Sequence, residues 1–406
     1  MMTFKRLPGI IFIISFLFLI GNTVFADDLL EDEPVKYIFS NNSASAATVP
    51  VINATAAIVM DMESGRILYS KNATSRRSIA STTKIMTSIL AIENGRLDDI
   101  VTVSKRAASI GGSVIDLQIG QKYTLNELLY GLMLNSGNDA AIAIAEHIGD
   151  TVEHFADMMN EKAMELGAKN TSFVTPYGLD AEGHYSTAYD LAIITRYALV
   201  NPVFSRIVAT NTTSIFGRQL YNTNEMLDIY PGADGVKTGY TGKAGRCLVT
   251  SATRDGMRLI SVVLGSPTRY KRASASKAIL DYSFNNFMPR ILVVVGQEYG
   301  SIPVYKGINN NVSIKAVETV QVPLRDDEYE KLQIRACIPD SLNAPVYAGI
   351  DTGYVEFLVD GEVVAQTMLK TWHNVRRKGF ADYLEGIVGM WGRMMREGIF
   401  FDIITS

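Results

Sequence analysis

The chain has 406 residues, a formal net charge of −4 and 47% hydrophobic residues. That length accommodates one to three globular domains, and the acidic balance supplies no basic field for nucleic acid, so no nucleic-acid partner is expected. Four histidines and two distant cysteines show no paired-ligand spacing, so neither a metal nor another cofactor is expected. Cys247 and Cys337 read as small buried residues.

The N-terminus reads as an export signal. Lys5 and Arg6 precede an apolar run from Ile10 to Ile20, and Ala26 stands at the exit. A basic start, a short apolar middle and a small-residue end form the secretory pattern. The run is shorter than the roughly 20 residues of a spanning helix, with a retained signal anchor as the alternative. Either way the body lies outside the cytoplasm, held at the outer face of the membrane. Residues 1–26 are assigned to the signal and 27–48 to a polar, small-residue linker.

Structural patterning starts near residue 49. The segment AAIVMDMESGRILYSKN has two β-rich runs around a turn at Gly65. Next, Ile85, Ile89 and Ile92 recur at helical spacing, up to a stop signal at Asn94-Gly95. Two helices follow, broken at NSGN, the first opened by a capping box of Thr124 and Glu127. A further amphipathic helix covers TVEHFADMMNEKAMELGA, and Thr187 with Asp190 repeats the capping-box spacing. Two strand-like runs then meet at RDG, a hairpin turn, before a last helix through SASKAILDYSFNNF. Strand, many helices, strands and helix describe an α/β (α+β) body of antiparallel sheet and packed helices over 49–289.

Short β runs separated by turn residues fill 290–371, a small all-β domain without a catalytic-looking cluster. Residues 372–406 read as an amphipathic helix with Phe380, Leu384, Ile387, Trp391 and Met394 or Met395 on one face. Arg376, Arg377 and Lys378 precede it, and Arg393 and Arg396 lie within it. An apolar face with a tryptophan and flanking cations suits a membrane interface; docking on the β domain is the alternative.

Three short motifs carry the chemistry. In Ser81-Thr82-Thr83-Lys84, helical spacing lets the lysine amine reach the serine hydroxyl. A serine needs an adjacent base, and a lysine serves only if burial or another cation lowers its pKa. Ser136-Gly137-Asn138 sits in the helix break, where the serine can relay protons and the amide can hold a substrate carbonyl. Lys237-Thr238-Gly239 opens a strand: Lys237 supplies a second cation, Thr238 a carboxylate-binding hydroxyl, and Gly239 room for a substrate backbone. Each motif alone is weak, but their order and context together are specific.

These motifs, with the segments LLYGLMLNSGNDAAIAIAEHIG, NTSFVTPYGLDAEGHYSTAYDLA and GVKTGYTGKAGRCLVTSAT, are similar to the low-molecular-mass penicillin-binding proteins. These are serine-type D-alanyl-D-alanine carboxypeptidases, and the clostridial and bacillar group with sporulation enzymes resembles this chain most. The resemblance implies a penicillin-binding/β-lactamase-like transpeptidase fold acting on peptidoglycan stem peptides, with β-lactams as inhibitors. It implies that Ser81 attacks, Lys84 is the base, and Ser136 and Lys237 pass the proton on. It further implies an oxyanion hole from the N–H groups of Ser81 and Tyr240, with Asn138 on the substrate amide. Thr238 and Arg272 would hold the terminal carboxylate, Arg269 being the rival arginine. Tyr240 and Tyr177 stand where some relatives carry histidine.

Two other readings remain to weigh. A class A β-lactamase needs a glutamate for its deacylating water, and no E-x-x-L-N sequence stands between the second and third motifs. A β-lactam sensor or inactive binder should carry several spanning helices or lack a motif, and this sequence does neither.

Overall fold

The computed structural model describes residues 48–215 and 217–396. The expected signal peptide, nearly all of the expected linker and the last residues of the terminal segment lie outside the described residues.

β1 (Ala56–Asp61) and β2 (Ile67–Lys71) form the expected hairpin, with Gly65 at φ +75° in its turn. A 3-10 turn (Ala80–Thr83) runs into α1 (Lys84–Asn94). Gly95 follows α1 in extended geometry, at φ −121°, and not as a left-handed cap. What it supplies is space: a Cβ there would lie 2.5 Å from Leu125 Cδ2 and 2.8 Å from Ile148 Cδ1. A small hairpin of β3 (Ile100–Thr102) and β4 (Lys122–Thr124) encloses α2 (Lys105–Ala108).

The helices α3 (Leu125–Met133), α4 (Asn138–Gly149), α5 (Val152–Glu165) and α6 (Ala188–Val200) fall where the periodicity put them. The capping box at α3 forms in both directions, the Thr124 hydroxyl accepting from Glu127 N and the Glu127 carboxylate from Thr124 N. At α6 only half of it forms. Thr187 accepts from Asp190 N, but the Asp190 carboxylate turns away to accept from Asn170 N and Thr171 Oγ1. Short elements follow: α7 (Pro202–Val208), the hairpin β5 (Thr212–Ile215) with β6 (Arg218–Tyr221), and α8 (Met226–Ile229).

β7 (Ala233–Thr241), β8 (Gly245–Arg254) and β9 (Met257–Ser266) complete an antiparallel sheet in the order β2-β1-β9-β8-β7, and α9 (Arg269–Asn286) packs on it. Every residue of β1 is buried because both sheet faces are covered. The two-residue side-chain period splits the strand between two cores. Ala56, Ile58 and Met60 join α1 and α3–α6, whereas Ala57 and Val59 face Ile279 and Leu280 of α9. This leaves β7, the motif strand, at the sheet edge beside the 3-10 turn.

The β domain comprises β10 (Met288–Val293), β11 (Glu298–Tyr305), β12 (Asn311–Ala316), β13 (Val320–Leu324), α10 (Asp326–Glu330), β14 (Gln333–Cys337), β15 (Leu342–Asn343), β16 (Asp351–Val359) and β17 (Glu362–Thr371). β10 pairs with β13, and the other six form one sheet, with β16 and β17 joined at Asp360-Gly361. Arg66 ties this domain to the sheet-and-helix body: it donates to the Pro323 carbonyl, pairs with Glu328 at 2.9 Å and lies over the Phe287 ring.

The chain stays on the β domain beyond the expected boundary at 372. Val375 bridges to Val346, Arg377 to Gly307, and Lys378 N donates to the Lys306 carbonyl. The helix α11 (Phe380–Arg396) starts only then, and none of its described residues is buried.

Candidate active site

The first motif is built on a strained turn. Ala80 has φ +48°, and the Thr82 and Thr83 hydroxyls donate to the Ile79 and Ala80 carbonyls, fixing the 3-10 turn. Ser81 thus lies one 3-10 turn ahead of α1, and Lys84 is the first helical residue. The Lys84 side chain is wholly buried, with Nζ 3.0 Å from Ser81 Oγ, 2.7 Å from Asn138 Oδ1 and 2.9 Å from the Tyr177 carbonyl oxygen.

The last two partners can only accept. If Lys84 is neutral, they take its two N–H bonds and its lone pair faces the Ser81 hydroxyl. The electrostatics favour that state. Burial lowers the Lys84 pKa well below the ordinary lysine range, Lys237 lowers it further, and Asp139 opposes them.

The second motif occupies the turn between α3 and α4. Ser136 takes a left-handed conformation, φ +61°, and its buried Oγ has no hydrogen-bond partner among the described residues. A buried hydroxyl left unmatched by protein has its hydrogen-bonding capacity available to substrate. Asn138 opens α4, its backbone N–H donating to the Ser113 carbonyl at 2.7 Å and its Nδ2 to Gly111 O at 2.8 Å. The second bond orients the amide so that Oδ1 faces Lys84.

The third motif lies on β7. Lys237 is 1% exposed, with Nζ donating to the Thr238 carbonyl at 3.2 Å. The Thr238 hydroxyl meets Thr223 Oγ1 at 2.7 Å. A Cβ on Gly239 would lie 2.8 Å from Ser81 N and 3.2 Å from Thr82 N, so any side chain would press on the Ser81 amide. Tyr240 lies across the strand pair from Arg246, whose guanidinium sits 4.0 Å from the ring centroid.

The three motifs therefore meet, but Arg272 has a different setting from the one expected. It is fully buried on α9 and forms a bidentate pair with Glu225, with Nη2 at 2.7 and 2.6 Å from the two carboxylate oxygens. Arg269, 24% exposed at its side chain, is 4.0 Å from the same carboxylate. Neither arginine is a free, solvated cation: a substrate carboxylate would share Arg272 with Glu225.

Several contributors carried no readable signal. The Tyr177 contact is a backbone carbonyl, so no residue type announces it. Asp139 follows the second motif directly and is 2% exposed. Its carboxylate accepts from Ile115 N, Leu117 N and Ala140 N, pinning the segment that carries Gly111 and Ser113. His184 is buried behind the first motif, 2.9 Å from Thr83 Oγ1, and its Nδ1 accepts from Val174 N. Asp180 accepts from Thr241 Oγ1, joining the loop that carries Tyr177 to β7.

Comparison with known proteins agrees with this architecture. Residues 42–268 match the family model for D-alanyl-D-alanine carboxypeptidase, and 287–377 match the penicillin-binding protein 5 C-terminal domain. The D-alanyl-D-alanine carboxypeptidase DacF of Bacillus subtilis is 36% identical over 83% of this chain and 90% of its own length. DacA of Escherichia coli K12 is 34% identical over 84% and 90%. The crystal structure of penicillin binding protein 5 from Haemophilus influenzae superposes with a TM-score of 0.74, at 33% identity over 81% of this chain and 99% of that one. With more than half of the chain under the catalytic-domain model and relatives matched almost end to end, this protein belongs to the D-alanyl-D-alanine carboxypeptidase family.

Proposed function

We propose that Ser81 carries the D-alanyl-D-alanine carboxypeptidase activity through an acyl-enzyme. The family acts on peptidoglycan stem peptides and binds β-lactams. Ser81 Oγ attacks the carbonyl carbon between the two terminal D-alanines while the Lys84 lone pair takes its proton. The resulting oxyanion lies between the N–H groups of Ser81 and Tyr240. Collapse breaks the C–N bond, and the departing D-alanine nitrogen receives a proton by way of Ser136 and Lys237. Water then attacks the ester, returning Ser81 and the shortened stem. Asn138 holds the substrate amide, Gly239 admits its backbone, and Thr238, with Arg272 behind it, meets the terminal carboxylate.

The observation that carries this reading is the threefold setting of Lys84 Nζ, with two obligate acceptors and the Ser81 hydroxyl. β-Lactams would acylate the same serine and leave slowly. On the loop beside Lys84, the Asp180 carboxylate is engaged by Thr241 and Glu182 is exposed, so neither is set to drive a deacylating water. The test is D-alanine release from a peptide ending in Lys-D-Ala-D-Ala, with Ser81→Ala as control. Release by the Ser81→Ala variant would refute the assignment.

The protein acts at the outer face of the cytoplasmic membrane, held there by α11. Its exposed apolar residues (Phe380, Leu384, Ile387, Trp391, Met395) and its terminal cations Arg393 and Arg396 support that reading. Removing residues 380–406 should release the processed protein from membranes; retention would refute the anchor.

A further inference from the structure

We propose that the end of the β domain farthest from the catalytic body is itself a docking surface for an anionic lipid bilayer, separate from α11. This rests on the reading of α11 as the membrane-associating element and adds a second, non-helical contact.

Three segments converge at this end. The turn after β11 pairs with the last stretch before α11, through Ile308 N to the Arg376 carbonyl and Lys378 N to the Lys306 carbonyl. Val346 and Val375 exchange backbone hydrogen bonds, and Trp372 N donates to the Ser313 carbonyl. Residues 305–308, 344–349 and 371–378 thus form one continuous rim, from which α11 departs.

The rim has the composition of a bilayer interface. Tyr305, Tyr347 and Trp372 are 63%, 61% and 59% exposed, unusual for three large aromatics on one small domain. Lys306, Arg376, Arg377 and Lys378 lie among them, and the three segments contain no aspartate or glutamate. Of these four cations, only Arg376 has a carboxylate partner among the described residues, Asp382 of α11. Lys315 Nζ, 3.9 Å from the Glu298 carboxylate, sits 4.4 Å from the Trp372 ring centroid. Amphipathic rings settle at headgroup level, and clustered lysine and arginine are drawn to an anionic leaflet.

The rim also faces the correct way. Val364, Ala365 and Gln366, early in β17, line a cavity of about 340 Å³ together with Glu63 and Ser64 of the catalytic body. The same strand ends at Thr371, just before Trp372. The six residue-to-residue steps from Ala365 to Thr371 rise roughly 20 Å. A bilayer at the rim would therefore touch the domain on the side opposite the catalytic body, with α11 entering the interface alongside it.

The chain holds two tryptophans, Trp372 on the rim and Trp391 on α11, so each contact has its own reporter. In full-chain Trp391→Phe bound to phosphatidylglycerol-containing vesicles, Trp372 emission should shift to the blue and be quenched by lipids brominated near the headgroup. In Trp372→Phe, Trp391 should be quenched too. Quenching of Trp391 without any change at Trp372 would overturn the rim and leave the helix anchor standing. No quenching of either would overturn the anchor reading and the rim with it. A vesicle-independent shift of Trp372 that grows with protein concentration would assign the rim to a second copy of the chain and overturn the bilayer as its occupant. Replacing Lys306, Arg377 and Lys378 with glutamine should weaken binding to anionic vesicles on the order of tenfold or more, leaving D-alanine release in detergent unchanged. Equal binding by this variant and the parent would also refute the proposal.

Discussion

The catalytic body and the β domain treat charge in opposite ways. In the body, Lys84, Lys237 and Arg272 are 0%, 1% and 0% exposed, each embedded among polar partners. In the β domain, Glu328 is the one charged residue buried among the described residues, and it pairs both with Arg66 of the body and with the neighbouring Arg325. Burying a cation is costly, so a fold retains several only where their desolvation does something. Here it lowers the pKa of one lysine beside a serine. The β domain has no such requirement: its core is apolar, with Phe357 among aliphatic residues, and its cations stay at the surface.

The sharpest break in that contrast is Lys84→Arg. It keeps a long hydrogen-bond donor and removes the proposed base, because a guanidinium does not give up its proton. Acylation by a labelled penicillin, normalised to the folded fraction, should fall about 10²- to 10⁴-fold. An acylation rate near that of the parent would show that buried lysine chemistry is not what distinguishes the body.

His184 tests the same contrast through stability. Burial pushes its pKa down to about 4, so the folded body holds it neutral. The unfolded chain, with an ordinary value near 6.5, binds the extra proton between those limits. Stability from this group is complete above about pH 6.5 and is lost as pH falls towards 4, by roughly 3 kcal/mol over the full interval. Hydrogen exchange at pH 7 and 4.5 should show the loss in the body and not in the β domain. His184→Gln should flatten it.

What was legible in the sequence follows the range of the interaction. The S-x-x-K, S-G-N and K-T-G motifs and the Thr124–Glu127 box are local, so residue type and spacing suffice. The Asp190 spacing looked the same as that of Glu127, but Asn170 and Thr171 compete for its carboxylate from 20 and 19 residues away. Glu225 and Arg272, 47 residues apart, have no local pattern at all. The lysine's third partner is a carbonyl, which every residue has. The fold class was readable from the strand and helix periods. The setting of Arg272 was not, because it depends on how α9 and the α8 region meet.

Arg66→Ala separates the two regions. It removes a mostly buried ion pair, a donor to the Pro323 carbonyl and the cover on Phe287. We expect a loss of about 2 kcal/mol. Calorimetry should then resolve two transitions, and limited proteolysis should cut near Phe287. A single unaltered transition would mean that the regions are coupled through other contacts.

The smallest expected effect is Asp139→Asn, and it bears on how finely the body tunes its lysine. The carboxylate is the buried anion that opposes burial and Lys237 in setting the Lys84 pKa. Removing the anion lowers that pKa further, so the acid limb of penicillin acylation should move to lower pH. Lys237→Gln should move it the other way, because it removes a cation. Asparagine still offers one oxygen to Ile115 N or Leu117 N, and the cost in stability should be about 1 kcal/mol. The position of a pH limb does not depend on how much protein is folded, so it separates the two roles of Asp139. If the limb stays in place, Asp139 serves the loop alone. If it moves towards acid while the Lys237 variant moves towards alkali, Lys84 is held between two buried charges of opposite sign.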